Sequence, residues 1–344
     1  MKTYTLNIIN IKRETENTVT LCFKQPGLKK IKYLSGQYLT LIFRINGRRY
    51  LRPYSFSSAP TVDAFLEVTI KRAPNGIVSN YINDSVAIGD SIEVLQPMGN
   101  FIYPTGNCFK TIFLWGVGSG MTPLFSLLKF ILNENSLNVS NVHLIYGNHN
   151  IKSTIFWKAL YILQKENSDK FRITHYHTRS KVNEEPNVII KGRIQPEFVL
   201  TDYNPEQIKA SLHYICGPID LKTNIKNTLS NYNVNDSQIL IEDFELIKDP
   251  KDFIDVETQK VTLDFENKVV DIEVLKGKSI LEAALDVNIE LPYLCQTGNC
   301  NTCKGKLISG KSKMIGIQKR DDLLEDEFLL CCTYPITANV YIKI

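Results

Sequence analysis

Cys295-Gln-Thr-Gly-Asn-Cys300-Asn-Thr-Cys303 places three thiols in one short loop, and Leu330-Cys331-Cys332-Thr333 supplies two more far downstream. The spacing is C-x4-C-x2-C with a distant fourth cysteine. Three thiolates on one loop can wrap a flat diiron core, and the fourth ligand then arrives from elsewhere. Gly298 lets the loop backbone approach the bridging sulfides and offer its N–H groups. Zinc is the competing reading. Structural zinc sites favour two C-x2–4-C knuckles, and here the second knuckle would be the adjacent Cys331 and Cys332, which chelate one ion poorly. The loop therefore predicts a [2Fe–2S] cluster on Cys295, Cys300, Cys303 and one of the adjacent pair.

Working outward, the remaining cysteines are few. Of eight in 344 residues, five lie in the last 50. A secreted disulfide scaffold would spread them through a shorter chain. The clustering points to a metal site in a reducing compartment, the cytoplasm. The N-terminus shows no apolar signal segment. A length of 344 residues implies two or three domains, and 43% apolar with 22% charged residues is a globular composition. A net charge of +4 without a Lys/Arg run gives no sign of nucleic-acid binding. Residues 1–105 carry 13 basic and seven acidic side chains, a balance that suits a phosphate-bearing ligand. Residues 111–132 are nearly uncharged and long enough to span a bilayer. Gly116, Gly118, Gly120 and Pro123 instead mark a strand, a glycine turn and a helix, so no membrane span is expected.

The element pattern changes twice. Residues 1–105 read as short β-rich runs, with Asn46-Gly47 as a hairpin turn, and predict a small antiparallel barrel. Residues 106–246 alternate apolar strands with helices, the βαβ logic of a parallel sheet. Residues 247–258 are polar and contain Asp249-Pro250, suggesting a linker. In 259–344, two strands, a helix, the cysteine loop and a last strand fit a β-grasp domain. The expected class is multidomain β + α/β + α+β.

Arg52-Pro53-Tyr54-Ser55 could supply a flavin's three needs: a cation for phosphate, a flat ring, and a hydroxyl near N5. Gly36-Gln37-Tyr38 precedes it. Gly76-Ile77-Val78-Ser79 follows and opens a helix whose N–H groups suit a pyrophosphate, and Pro97-Met98-Gly99-Asn100-Phe101 closes the domain. Gly116-Val117-Gly118-Ser119-Gly120-Met121-Thr122-Pro123 follows a strand and opens a helix, the context a dinucleotide loop requires, although its third glycine comes one residue early. Together these stretches resemble the ferredoxin–NADP reductase superfamily, in the branch ending in a plant-type ferredoxin domain. The layout is similar to phenylacetyl-CoA epoxidase reductase subunits and related oxygenase reductase components.

The resemblance implies roles. Arg52 would hold the flavin phosphates, Tyr54 would stack on the ring and Ser55 would approach N5. Gly76 and Ser79 would line the pyrophosphate, and the P-x-G-x-F form ending at Phe101 favours FAD over FMN. Gly116, Gly118, Gly120, Thr122 and Pro123 would form the pyridine-nucleotide loop. Cys216-Gly217-Pro218 would place Cys216 beside the nicotinamide, with Gly217 allowing close approach. Glu242-x-Phe244 matches an E-x-aromatic whose ring covers the flavin. Thr178-Arg179-Ser180-Lys181 resembles a stretch that grips a 2′-phosphate, so Arg179 points to NADPH; His149 departs from relatives with arginine there. Leu330-Cys331-Cys332-Thr333-Tyr334-Pro335 is similar to the family's final ligand segment, whose register implies Cys331.

The chemistry follows from having all three centres. Nicotinamide gives two electrons as hydride, a [2Fe–2S] cluster takes one, and a flavin can hold two and release them singly. The expectation is NAD(P)H to FAD to cluster to a redox partner protein, an oxygenase, hydroxylase or desaturase component. The alternatives are a reductase for another redox protein, such as a hybrid-cluster protein, or a non-enzymatic electron carrier or zinc-stapled binding protein. No role is assigned to the five histidines, and the oligomeric state is not legible. The acidic stretch Asp321-Asp322-Leu-Leu-Glu325-Asp326-Glu327 could dock a basic partner, but such a run is more often a solvated face.

Overall fold

The computed structural model describes every residue except 1, 26, 28, 29, 107, 108, 180–188, 247, 318 and 319. Contacts divide the chain into two units: Met1–Phe43 with Pro53–Glu242, and Arg44–Arg52 with Asp243–Ile344.

The first unit begins with β1 (Thr3–Thr15), β2 (Thr18–Lys24), β3 (Tyr38–Ile45), β4 (Arg48–Ser55), β5 (Leu66–Lys71), α1 (Ile77–Ser85) and β6 (Ser91–Leu95). The six strands form one sheet in the order β4-β3-β6-β1-β2-β5. Asn46 and Gly47 both have positive φ, 51° and 77°, as a two-residue I′ turn demands. Just past β4, Phe56 bridges Val68 of β5, joining the two edges of the sheet into the expected barrel.

A parallel α/β layer follows: β7 (Thr111–Val117), α2 (Met121–Asn133), β8 (Asn141–Asn148), α3 (Trp157–Glu166), β9 (Phe171–His177), β10 (Ile189–Lys191), α4 (Pro196–Leu200), α5 (Pro205–Lys209), β11 (Leu212–Cys216), α6 (Ile219–Ser230) and β12 (Ile239–Glu242). The strand order is β10-β9-β8-β7-β11-β12. β7 shows why its run is continuously apolar. Ile112 and Leu114 face a core shared with Leu124 and Leu128 of α2, while Phe113 and Trp115 face one shared with Ile225 of α6. The near-uncharged stretch 111–132 is thus a buried strand, a turn and a helix, and among the described residues no helix is long and apolar enough to cross a membrane. Barrel and α/β layer are joined within this unit. Lys129, nearly buried, pairs with Asp63 at 2.5 Å, Ser126 Oγ donates to Ser58 O at 2.6 Å, and Phe101 meets Tyr214 edge-on at 5.2 Å.

Two histidines are part of this core. His213 stacks on Phe113 at 4.8 Å, and its Nδ1 accepts from Trp115 Nε1–H at 3.1 Å. An indole N–H only donates, so that nitrogen carries no proton. His143 is held by Thr174 Oγ1 at 2.8 Å and lies beside the Arg172 guanidinium. Burial pushes both imidazoles down to about 3, and Arg172 adds to the effect at His143. Their folded values lie below the unfolded 6.5, so this stability is present above pH 6.5 and lost as pH falls toward 3. At pH 5 the loss is about 2 kcal/mol per histidine. Denaturant midpoints for the first unit are expected to fall between pH 7 and pH 5; equal midpoints would refute the account.

The second unit contains β13 (Gln259–Phe265), β14 (Lys268–Val274), α7 (Ile280–Asp286), β15 (Lys304–Ser309), β16 (Ser312–Met314), β17 (Glu327–Leu329), β18 (Thr333–Pro335) and β19 (Val340–Lys343). The main sheet runs β14-β13-β19-β15-β17, with β13 and β19 parallel and the other neighbours antiparallel. This is the β-grasp arrangement. Helix α7 starts at a reciprocal cap: Glu282 N–H donates to Ser279 Oγ at 3.2 Å, and Ser279 N–H donates to Glu282 Oε2 at 2.8 Å. The polar stretch read as a linker is packed in part. Val256 is buried with Ile315 and Tyr334, and Phe253 lies against them. The segment Arg44–Arg52 around the β3–β4 turn is grouped with this unit, while β4 is hydrogen-bonded to β3 in the first sheet.

Candidate functional site

The strand order of the parallel sheet reverses between β7 and β11. β7 leads to β8 on one side, and β11 is inserted on the other, so the carboxyl ends of β7 and β11 flank a switch point where ligands of open α/β sheets bind. Gly116 and Cys216 are register partners there, and Cys216 is itself paired with Glu242 of β12. After β7, Gly118 takes φ +55° and Gly118–Gly120 form a tight turn into α2. A side chain at Gly120 would place Cβ 2.1 Å from Cys216 O, so this glycine is what lets the two loops touch. At Gly116 a Cβ would lie 2.9 Å from Leu124 Cδ1, and at Gly217 it would lie 3.0 Å from Leu221 Cδ2. Thr122 Oγ1 donates to Ser119 O at 3.0 Å and Tyr146 OH donates to Gly118 O at 3.1 Å, fixing the turn. Pro123 is buried in the first turn of α2.

Beside this turn lies a cavity of about 500 Å³. Val117, Gly118 and Pro218 form its wall at the switch point, Lys71, Arg179 and Arg193 give it positive charge, and His149 lines it as well. Among the described residues, Asp220 is the acidic one in the lining, and it pairs with Arg193 at 3.7 Å. Arg179 N–H donates to His149 O at 2.8 Å, and His149 Nδ1 lies 3.1 Å from Thr178 Oγ1, so both side chains stand on linked backbone. Burial lowers the His149 pKa, with Arg179 and Lys71 adding to it. Of the sequence stretch read as a phosphate grip, Thr178 and Arg179 line the cavity, while Ser180 and Lys181 lie outside the described residues. Lys71 and Arg193 were not singled out from sequence. Lys71 ends a barrel strand, and nothing local marks it as a neighbour of Gly118.

On the barrel side, Arg52-Pro53-Tyr54-Ser55 closes β4. Tyr54 is half-buried and Ser55 buried, while Arg52 donates to Leu51 O at 2.8 Å. Gly76 caps α1, which has no acidic residue in its first turn. Ser79 Oγ accepts from Ala73 N–H at 3.0 Å, and a Cβ on Gly76 would come within 2.6 Å of that oxygen. A helix N-terminus with free N–H groups and no competing carboxylate fits a pyrophosphate. Phe101 is buried in the core against Tyr214. Phe244 lies two residues past β12 and is exposed.

The cysteine loop sits in the second unit. Gln296 and Gly298 take positive φ, 58° and 70°, which turns successive N–H groups to one side, and Thr297 N–H reaches Cys295 Sγ at 3.4 Å. A side chain at Gly298 would place Cβ 2.3 Å from Ile317. The thiols share hydrogen bonds as two pairs, Cys295 with Cys300 and Cys303 with Cys331. Within them Cys295 is held down to about 5 by the Cys300 thiol and backbone N–H groups, while Cys300 and Cys303 are raised because each donates to its partner and is buried. Cys331 also hydrogen-bonds Cys332. Cys332 is fully buried and donates to Leu329 O at 3.3 Å. Two thiol pairs fit a diiron core, which takes two protein ligands on each iron. Three of the five carboxylates in the acidic stretch are paired within their own unit: Lys304 with Glu327 at 2.6 Å, Lys306 with Asp326 at 2.8 Å and Arg320 with Asp322 at 2.6 Å.

Three family models match the chain in succession: an oxidoreductase FAD-binding domain at 5–103, an oxidoreductase NAD-binding domain at 114–227 and a 2Fe-2S iron-sulfur cluster binding domain at 264–337. Fold and sites together define an NAD(P)H oxidoreductase that uses FAD and a [2Fe–2S] cluster. The chain belongs to the ferredoxin–NADP reductase superfamily, in the branch that ends in a plant-type ferredoxin domain. It is 28% identical to the ferredoxin reductase component of 3-ketosteroid-9-alpha-monooxygenase from Rhodococcus rhodochrous, over 98% of this chain and 96% of that protein. It is 27% identical to one of the subunits of 1,2-phenylacetyl-CoA epoxidase from Escherichia coli K12, over 98% and 97%. Among solved structures, phthalate dioxygenase reductase shares the fold with a TM-score of 0.68 at 21% identity, covering 99% of this chain and 98% of that one.

Proposed function

We propose that this protein is the reductase component of a multi-component oxygenase in the cytoplasm, and that it draws its electrons from NADPH. The observation that carries the first part is the coexistence, in one chain, of a switch-point nucleotide cavity, a flavin-type barrel and two thiol pairs. Relatives matched over nearly their whole length are reductase components of monooxygenases. When bound, FAD accepts a hydride and passes electrons on one at a time. The protein's own residues then bind and orient. Arg52 neutralises flavin phosphate, Tyr54 covers the ring, Ser55 offers a hydroxyl at N5, and Gly76 with Ser79 admits the pyrophosphate. Cys216 and Gly217 bound the nicotinamide end, Phe101 packs beneath the flavin domain, and Phe244 shields the flavin until nicotinamide enters. Cys295, Cys300, Cys303 and Cys331 hold the cluster. Purified protein mixed with candidate oxygenase components should reduce one of them with NADPH; reduction of none, with flavin and cluster present, would overturn the partner reading.

NADPH is supported by Lys71, His149, Arg179 and Arg193 around one cavity. A 2′-phosphate there gains charge-assisted hydrogen bonds that a ribose diol cannot match. Arg179→Ala should raise KM for NADPH by roughly tenfold or more while leaving KM for NADH nearly unchanged. Equal rises for both nucleotides would remove the phosphate from this pocket.

A further inference from the structure

The loop carrying Cys295, Cys300 and Cys303 is held from outside by the Arg320 side chain. Arg320 Nη1 donates to Gly298 O at 2.6 Å, and Nη2 donates to Asn301 Oδ1 at 2.8 Å. The same guanidinium forms a two-point ion pair with Asp322, with Nε–Oδ1 and Nη2–Oδ2 both at 2.6 Å. Asp322 in turn accepts from Asn301 Nδ2 at 3.0 Å. The contacts close a ring through Arg320, Gly298, Asn301 and Asp322, with one residue between Arg320 and Asp322 in the chain. The planar fork of arginine suits this; an ammonium could not make all the bonds at once. The Arg320 side chain is 23% exposed, so its charge is only partly screened. Its own pKa is raised, chiefly by the Asp322 hydrogen bond. Gly298 and Asn301, which the guanidinium holds, flank Cys300 in the loop, so the cation stands beside the segment that carries this thiol.

We infer that Arg320 is a positioning residue that sets the reduction potential of the cluster, fixing the loop through Gly298 and Asn301 and placing a positive charge beside the Cys295–Cys300 pair, while Asp322 limits that charge. The inference rests on these cysteines being the cluster ligands. Uptake of one electron, supplied by flavin that NAD(P)H has reduced, adds one negative charge to the four-thiolate site and takes up no proton. A nearby cation therefore favours the reduced state, and a nearby anion opposes it.

The test is an anaerobic redox titration of the full-length holoprotein, following cluster absorbance and the paramagnetic signal of the reduced cluster. Arg320→Gln should lower the cluster-reduction equilibrium constant about tenfold, a downward shift of about 59 mV for one electron. Asp322→Asn should shift the potential upward. Arg320→Lys should keep a potential near the wild type but release iron faster to a chelator, because the fork to Gly298 and Asn301 is gone. Should Arg320→Gln fail to assemble a cluster, the two other variants still decide: an upward shift in Asp322→Asn, and a near wild-type potential with faster iron release in Arg320→Lys, are expected, and no shift in the first with wild-type iron release in the second would overturn the inference. Shifts of the same sign in Arg320→Gln and Asp322→Asn, or no shift in either, would overturn the inference. A wild-type protein with no cluster would overturn the ligand assignment and this inference together.

Discussion

Cys331→Ser is expected to purify as a flavoprotein without cluster absorbance, and its electron delivery to one-electron protein acceptors should fall to background. Nucleotide oxidation with a small acceptor that reacts at the flavin should persist. The paired Cys332→Ser should keep the cluster and most of the delivery. The contrast follows from the surroundings of two adjacent thiols. Cys331 hydrogen-bonds Cys303, completing the second thiol pair. Cys332 is fully buried, donates to Leu329 O, and its sulfur lies 3.7 Å from where a Cβ on Gly298 would stand. A hydroxyl can replace that donation, whereas it cannot replace an iron-bound thiolate of this class. Iron content and visible spectra of the two variants settle the matter; the reverse pattern would move the ligand to Cys332.

Gly120→Ala should be nearly as damaging, by a different route. The added methyl would meet Cys216 O at 2.1 Å and Cys216 C at 2.6 Å, both backbone atoms that no rotamer change can clear. The β7 turn and the β11 end must separate, at a cost of about 1–3 kcal/mol in stability. At the proposed nicotinamide site, a shift of this size is expected to cost roughly 100-fold in kcat/KM for reduced nucleotide. The backbone at Gly120 has φ −59°, which alanine tolerates, so the effect is the clash alone. Gly27→Ala is the control, because no heavy atom stands within 4 Å of its Cβ position. Thermal melts and steady-state rates of both variants check this, and a Gly120→Ala protein with wild-type kinetics would refute it.

Much of this was readable in the sequence because the decisive features are local. Three of four candidate cluster ligands fall within one loop, the Asn46-Gly47 turn is a two-residue signal, and the glycine turn after β7 follows a strand directly. What was not readable is long-range. Lys71 reaches the nucleotide cavity from the end of a barrel strand, and Arg193 reaches it from beyond β10. The buried state of His143 and His213 depends on Arg172, Trp115 and Phe113, which come from other strands. The polar run after 247 looked like a spacer because Phe253, Ile254 and Val256 are interspersed with charged residues, and the burial of Val256 depends on Ile315 and Tyr334. Arg320 shows no sequence sign of its hold on Gly298.

The ion pairs along the acidic stretch have a kinetic consequence. Lys304, Lys306 and Arg320 answer Glu327, Asp326 and Asp322 within a few ångströms. Opposite charges so close cancel at distances beyond a Debye length, about 8 Å in physiological salt. With Asp321 and Glu325 outside these three pairs, this face casts a much weaker long-range field than five carboxylates would. A basic protein docking here would be steered only weakly, and its arrival rate would fall only modestly as salt is added.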